Sequence, residues 1–134
     1  MSSDIYREQI IDLYENPLNY GTLAEYDFSY EEDNPLCGDV VRIDVKLDGS
    51  GRVADVRWEG NGCAISQASA SLLTEAIKGL PLAEVQQFNK EQLLEMLGVP
   101  LSMARLKCAL LSLKVLKAGA FHLPAPEQMR NGEL

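Results

Sequence analysis

Between Val41 and Glu59 the chain alternates apolar and polar residues twice, with a glycine-rich break between the two runs, and this stretch constrains the fold most. Val41, Ile43, Val45 and Leu47 alternate with Arg42, Asp44 and Lys46, the period-2 pattern of a strand with one buried face. Asp48-Gly49-Ser50-Gly51 is a hairpin turn, and Ala54, Val56 and Trp58 alternate with Asp55, Arg57 and Glu59 on the way back. Leu23 to Tyr30 reads as a further extended, half-buried segment. The middle of the chain is therefore predicted to be an antiparallel meander.

The flanks change to helical periodicity. Tyr6, Ile10, Leu13 and Tyr14 share one face of a helix predicted over Asp4 to Glu15, capped by Ser3 and ended by Asn16-Pro17. Gly60-Asn61-Gly62 reads as the break before a second helix, Ala64 to Lys78, with Gly79 after it. Pro81 opens a short helix, and Asn89 caps another with Gln92 placed for a capping box. Ser102 caps the last, which is expected to run to about Ala118 ahead of Gly119. The expected class is α+β, a small antiparallel sheet of about three strands packed by about five helices. Residues 1–120 read as one domain and 121–134 as a flexible, polar, proline-bearing tail.

Composition matters chiefly for what it excludes. A net charge of −8 disfavours nucleic acid and anionic membranes as partners. There is no apolar run of about 18 residues for a membrane span and no basic-then-apolar leader. An odd cysteine count without a leader points to reduced thiols and a cytoplasmic location.

The chemistry resides in three cysteines, no two of them close in sequence, so any shared site must be assembled by the fold. Cys37 sits in Asn34-Pro35-Leu36-Cys37-Gly38-Asp39, a loop stiffened by Pro35 and freed by Gly38, with the carboxylate of Asp39 two residues on. Cys63 follows Gly60-Asn61-Gly62 at a helix start, where unpaired amides and the helix dipole favour a thiolate. Cys108 lies within the last helix on its apolar side, with Leu111 and Val115, and Arg105 and Lys107 are near it in sequence. Three thiols and one carboxylate make four anionic donors, enough for a tetrahedral zinc or a small iron–sulfur cluster. The competing reading is three separate buried cysteines acting as small apolar side chains.

Those segments, with Gly62-Cys63-Ala64-Ile65-Ser66-Gln67-Ala68-Ser69-Ala70-Ser71, Ala104-Arg105-Leu106-Lys107-Cys108-Ala109-Leu110-Leu111 and the opening Tyr6-to-Pro17 run, resemble the IscU/SufU/NifU N-terminal-domain family. The similarity extends from about Tyr6 to Ala118. It implies an iron–sulfur cluster assembly scaffold with Cys37, Asp39, Cys63 and Cys108 as ligands of a transient [2Fe–2S] cluster or of Zn2+, and Arg105 and Lys107 as supporting charges. It implies a cysteine desulfurase as sulfur source and apo iron–sulfur proteins as acceptors, with an iron donor and a second copy of the chain as further candidate partners. Lys107 stands where the IscU branch has histidine, as in the SufU branch, yet the spacing before Cys108 lacks the SufU insertion. The chaperone-binding Leu-Pro-Pro-Val-Lys motif of IscU is replaced by Val99-Pro100-Leu101-Ser102.

Three functions remain open on these residues. One is a scaffold, not itself an enzyme, that builds a labile cluster and releases it, with Asp39 as a hard donor that holds a soft cluster loosely. A second is a zinc-bound sulfurtransferase of SufU type that accepts persulfide sulfur, with Cys37 as the first acceptor. The third is a structural zinc domain, for which Asp39 is an unusual fourth ligand. The remaining candidates have plainer readings. His122 belongs with the tail, Trp58, Met96 and Met103 with packing, and Lys107, Lys114 and Lys117 with a solvated helix face, Leu110 being the exposed apolar residue among them.

Overall fold

The computed structural model describes residues 2–34 and 38–122. In chain order it comprises α1 (Ser2–Glu15), β1 (Phe28–Asn34), β2 (Asp39–Leu47), β3 (Val53–Asn61), α2 (Ala64–Ile77), α3 (Leu82–Gln87), α4 (Lys90–Leu97) and α5 (Met103–His122). The fold is α+β, with five helices and one antiparallel sheet of order β1-β2-β3 among the described residues. No helix among them is long and apolar enough to cross a membrane.

The alternation in β2 buries Val41, Ile43 and Val45 in the core beneath α5, while α2 packs on β3. In β3 the parity slips once. Lys46 pairs with Asp55 but Leu47 pairs with Val53, so Ala54 is bulged out and exposed while Val53 is buried in its place. Val56 and Trp58 keep their predicted inward positions. The turn between the strands forms at Asp48, whose carboxylate accepts from the backbone N–H groups of Ser50 and Arg52, and Gly51 takes the left-handed φ of +79°.

The first strand is displaced from its expected place. It runs over Phe28–Asn34 rather than Leu23–Tyr30, so the acidic Glu31-Glu32-Asp33 lies on an edge strand. A polar edge has no buried alternation to mark it, and Lys114 of α5 reaches Glu32 at 3.0 Å. The stretch before it crosses the other side of the sheet. Leu23 N–H, Ser29 Oγ–H and the Arg42 guanidinium all donate to Asp44, which is only 1% exposed although its strand position is on the polar side. Hydrogen bonding and charge from Asp44 raise the Arg42 pKa above its ordinary value. Trp58 is clasped from the same segment: its indole N–H donates to Leu18 O, and Tyr20 meets its ring edge-on at 4.9 Å.

α2 and α5 form the helical layer over the sheet, with α1 and α4 against α2 and with α3 and α4 against α5. Asn89 and Gln92 form the expected capping box. Ser102 caps α5 by accepting from the Arg105 N–H. Ile10 and Leu13 of α1 are buried but Tyr14 is exposed, and the side chains of Ser3 and Tyr6 lie outside the described residues. α5 does not stop at Ala118 but continues to His122 with Gly119 inside it. That glycine serves contact, since a Cβ there would lie 2.7 Å from Phe28 Cδ1. Leu110 is half-buried against the core rather than exposed, whereas Met103, expected to pack, is 79% exposed. Most of the expected tail, 123–134, and the side chain of His122 lie outside the described residues.

Candidate metal centre

Three segments distant in sequence meet at one end of the sheet. Asp39 opens β2 opposite Asn34, the last residue of β1, and Gly38, at φ +73°, donates its N–H back to Asn34 O at 2.7 Å. Cys63 is the N-cap of α2, in extended backbone geometry, one residue beyond Gly62, which follows the end of β3 at Asn61. Cys108 sits in the second turn of α5 and is 4% exposed. The Asp39 carboxylate and the sulfurs of Cys63 and Cys108 lie within 4.8 Å of one another. Asp39 is 3% exposed and Cys63 half-buried. The two thiols are not joined in a disulfide.

The glycines before Cys63 are needed for close approach and not for an unusual turn. Strand β3 runs through Gly60 and Asn61, so the break expected at Gly60 falls later, and neither Gly60 nor Gly62 has a left-handed φ. A Cβ on Gly60 would fall 2.0 Å from Val40 O, and one on Gly62 would fall 2.7 Å from Asp39 Cγ and 2.8 Å from its Oδ1. Gly62 thus makes room for the carboxylate. Asp39 Oδ1 accepts the Cys63 N–H at 3.3 Å, and Asp39 Oδ2 accepts the Cys63 thiol at 3.7 Å. Gln67 Nε2, one helical turn on, donates to Gly62 O at 2.9 Å.

The donor set fits a tetrahedral ion. Zinc–sulfur bonds of about 2.3 Å place the vertices of a regular tetrahedron roughly 3.8 Å apart. The 3.7 Å sulfur–oxygen separation matches that edge, and the other separations, all within 4.8 Å, exceed it by no more than about 1 Å. Two sulfurs and one oxygen leave one vertex for another ligand. Cys37, expected in that role, lies outside the described residues. Arg105 and Lys107, expected as supporting charges, are both exposed. Asp39, Cys63 and Cys108 were legible from sequence; Gly62 as a spacer and Gln67 as a hydrogen-bond donor were not. Their only sequence signal is a glycine directly after a strand and an amide at i+4 from the cysteine.

The model of the NifU-like N-terminal domain family matches residues 5–129. The chain belongs to this family. It is 38% identical to the zinc-dependent sulfurtransferase SufU of Bacillus subtilis, across 86% of this chain and 88% of that protein. It is 35% identical to the iron–sulfur cluster assembly scaffold protein IscU of Haemophilus influenzae, across 84% and 90% respectively. Among solved structures, a protein proposed as an iron–sulfur cluster assembly scaffold for the SUF system of Fervidobacterium islandicum superposes with a TM-score of 0.73. It is 29% identical, and the match covers 90% of this chain and 99% of that one.

Proposed function

We propose that this chain is an iron–sulfur cluster assembly scaffold that receives sulfur from a cysteine desulfurase, holds a labile [2Fe–2S] cluster and passes it to apo-proteins. Cys37, Asp39, Cys63 and Cys108 are its ligands, with Arg105 and Lys107 as exposed charges beside the site. The observation that carries the reading is the mixed donor set of buried Asp39 and Cys108 with half-buried Cys63, in a family whose members include IscU scaffolds. Covalent geometry supports the fourth ligand, since Cys37 is two peptide units from Asp39 and thus within about 7 Å of it, Cα to Cα. A carboxylate is a hard donor and binds a soft iron–sulfur unit less firmly than a thiolate, so a site with one oxygen vertex suits release.

The chain's own part in loading is sulfur capture. A thiolate attacks the outer sulfur of the desulfurase persulfide; the old S–S bond breaks, a new one forms on the acceptor, and the desulfurase cysteine leaves as thiolate. We assign this step to Cys37, because the other two cysteines cap or lie within helices α2 and α5. Mapping the added sulfur by mass spectrometry checks the assignment, and persulfide mainly on Cys108 overturns it.

A second reading has its own support. Lys107, next to Cys108, has an ammonium with no lone pair for a metal, and SufU of Bacillus subtilis is a zinc-dependent sulfurtransferase. In that reading Zn2+ holds the site while Cys37 relays sulfur and no cluster forms. Substituting serine for each cysteine in turn and measuring bound metal tests the shared site. Loss of binding in all three variants is expected, and full affinity in any one removes that residue from the ligand set. Sulfur transfer with zinc bound and no cluster on adding iron selects the sulfurtransferase.

A further inference from the structure

The peptide unit joining Gly62 to Cys63 is planar, so its carbonyl and its N–H move together. It is gripped at both ends: Gln67 Nε2 donates to the carbonyl at 2.9 Å, and the N–H donates to Asp39 Oδ1 at 3.3 Å. With Oδ1 engaged by the amide, Oδ2 is the oxygen left beside the Cys63 sulfur, 3.7 Å away. The restraint from Gln67 answers a specific weakness. Gly62 must lack a Cβ to admit Asp39, and a glycine is the residue about which a peptide plane pivots most freely. Donation to the carbonyl also polarises the amide and strengthens its N–H as a donor.

We propose that Gln67 is a positioning residue of the metal centre, holding the Gly62–Cys63 peptide so that the Cys63 amide fixes Asp39 through Oδ1 and leaves Oδ2 and Cys63 Sγ as the donors. This rests on the reading of Asp39 and Cys63 as ligands. Gln67 is half-buried, donates to the Gly62 carbonyl and not to a donor atom of the centre, and so acts through a peptide one turn away in the same helix start. Outer contacts of this kind, when removed, lower metal affinity by about ten- to a hundredfold.

The test uses Gln67→Leu, which keeps bulk and helix preference but removes the donor, and Gln67→Glu, which keeps length and sets a charged acceptor against the Gly62 carbonyl. In the metal-free protein the Cys63 amide is followed by NMR. Its proton should shift upfield and exchange about two- to tenfold faster in Gln67→Leu, with the thermal midpoint close to that of the parent. Zinc affinity, read by chelator competition, should fall about tenfold in Gln67→Leu and further in Gln67→Glu. In an Asp39→Ala background, adding Gln67→Leu should cost less than about twofold, since its route to the metal is gone. An unchanged Cys63 amide, or full additivity with Asp39→Ala, overturns the proposal and leaves the ligand reading standing. Unchanged zinc affinity in Asp39→Ala alone overturns the ligand reading and the proposal's metal arm together.

Discussion

Gly62→Ala isolates the close fit between the carboxylate and the turn. Gly62 has an ordinary φ, so alanine brings no backbone strain, and the whole effect comes from its methyl group. That methyl would meet Asp39 Cγ at 2.7 Å and Oδ1 at 2.8 Å, and both atoms must retreat to the ordinary contact range of 3.4–4 Å. The Cys63 N–H bond to Oδ1 is already 3.3 Å long, so the retreat breaks it. Overpacking of this kind costs about 1–3 kcal/mol, and losing a hydrogen bond to a charged acceptor costs about 1.5–3 kcal/mol. The two overlap, because relieving the clash is what breaks the bond, so roughly 2–4 kcal/mol is expected in total. A domain of this size, stable by about 5–15 kcal/mol, stays folded. Urea unfolding of the metal-free protein and chelator competition for zinc give the two readouts. Zinc affinity should fall by about ten- to a hundredfold, since the displaced carboxylate no longer faces the sulfurs. Affinity within about twofold of the parent would refute the claim that Asp39 is held where the metal needs it.

Three smaller predictions test the frame around the site. Gly119→Ala gains about 1 kcal/mol of helix preference but drives a methyl to 2.7 Å from Phe28 Cδ1, so a net loss of about 0–2 kcal/mol in urea unfolding is expected; net stabilisation would mean that Phe28 yields freely. The Ser112 hydroxyl is fully buried and has no hydrogen-bond partner among the described residues, so Ser112→Ala should stabilise by about 1–2 kcal/mol in the same assay. Hydrogen bonds from the Arg52 and then the Ser50 backbone N–H hold the Asp48 pKa below the ordinary carboxylate range. Its contribution is therefore complete above the unfolded pKa and is lost as pH falls through the folded value, and Asp48→Ala should flatten the acid limb of a stability–pH profile while leaving its shape near neutrality unchanged.

How much of this was legible in the sequence differs from element to element for physical reasons. β2 and the turn at Asp48 were plain because one buried face imposes a period of two, and a turn that needs φ > 0 demands glycine at Gly51. β1 was misplaced because its outer half, Glu31-Glu32-Asp33, is an edge with little to bury. The bulge at Ala54 left no mark, since a single extra residue changes parity without changing composition. Gly119 resembled a helix end in sequence, but a glycine required by a neighbouring ring looks the same as one required by φ. At the site, Asp39, Cys63 and Cys108 were found through their local motifs, and their convergence could only come from the sheet and helices that carry them. The burial of Asp44 depended on the segment crossing over it, which no local pattern encodes.

The central claim is that one centre on this chain builds an iron–sulfur cluster and lets it go. Its most direct measurement is anaerobic: the metal-free protein is incubated with a cysteine desulfurase, cysteine, ferrous iron and a thiol reductant, then desalted and mixed with an apo-protein acceptor. Iron, sulfide and visible absorbance are followed on both proteins. The account expects equal iron and sulfide on the chain with a [2Fe–2S] absorbance, lost from it as the acceptor gains the same, and no such cluster when Cys63 or Cys108 is replaced by serine. Turnover of cysteine by the desulfurase with no iron, sulfide or [2Fe–2S] absorbance on either protein would contradict it.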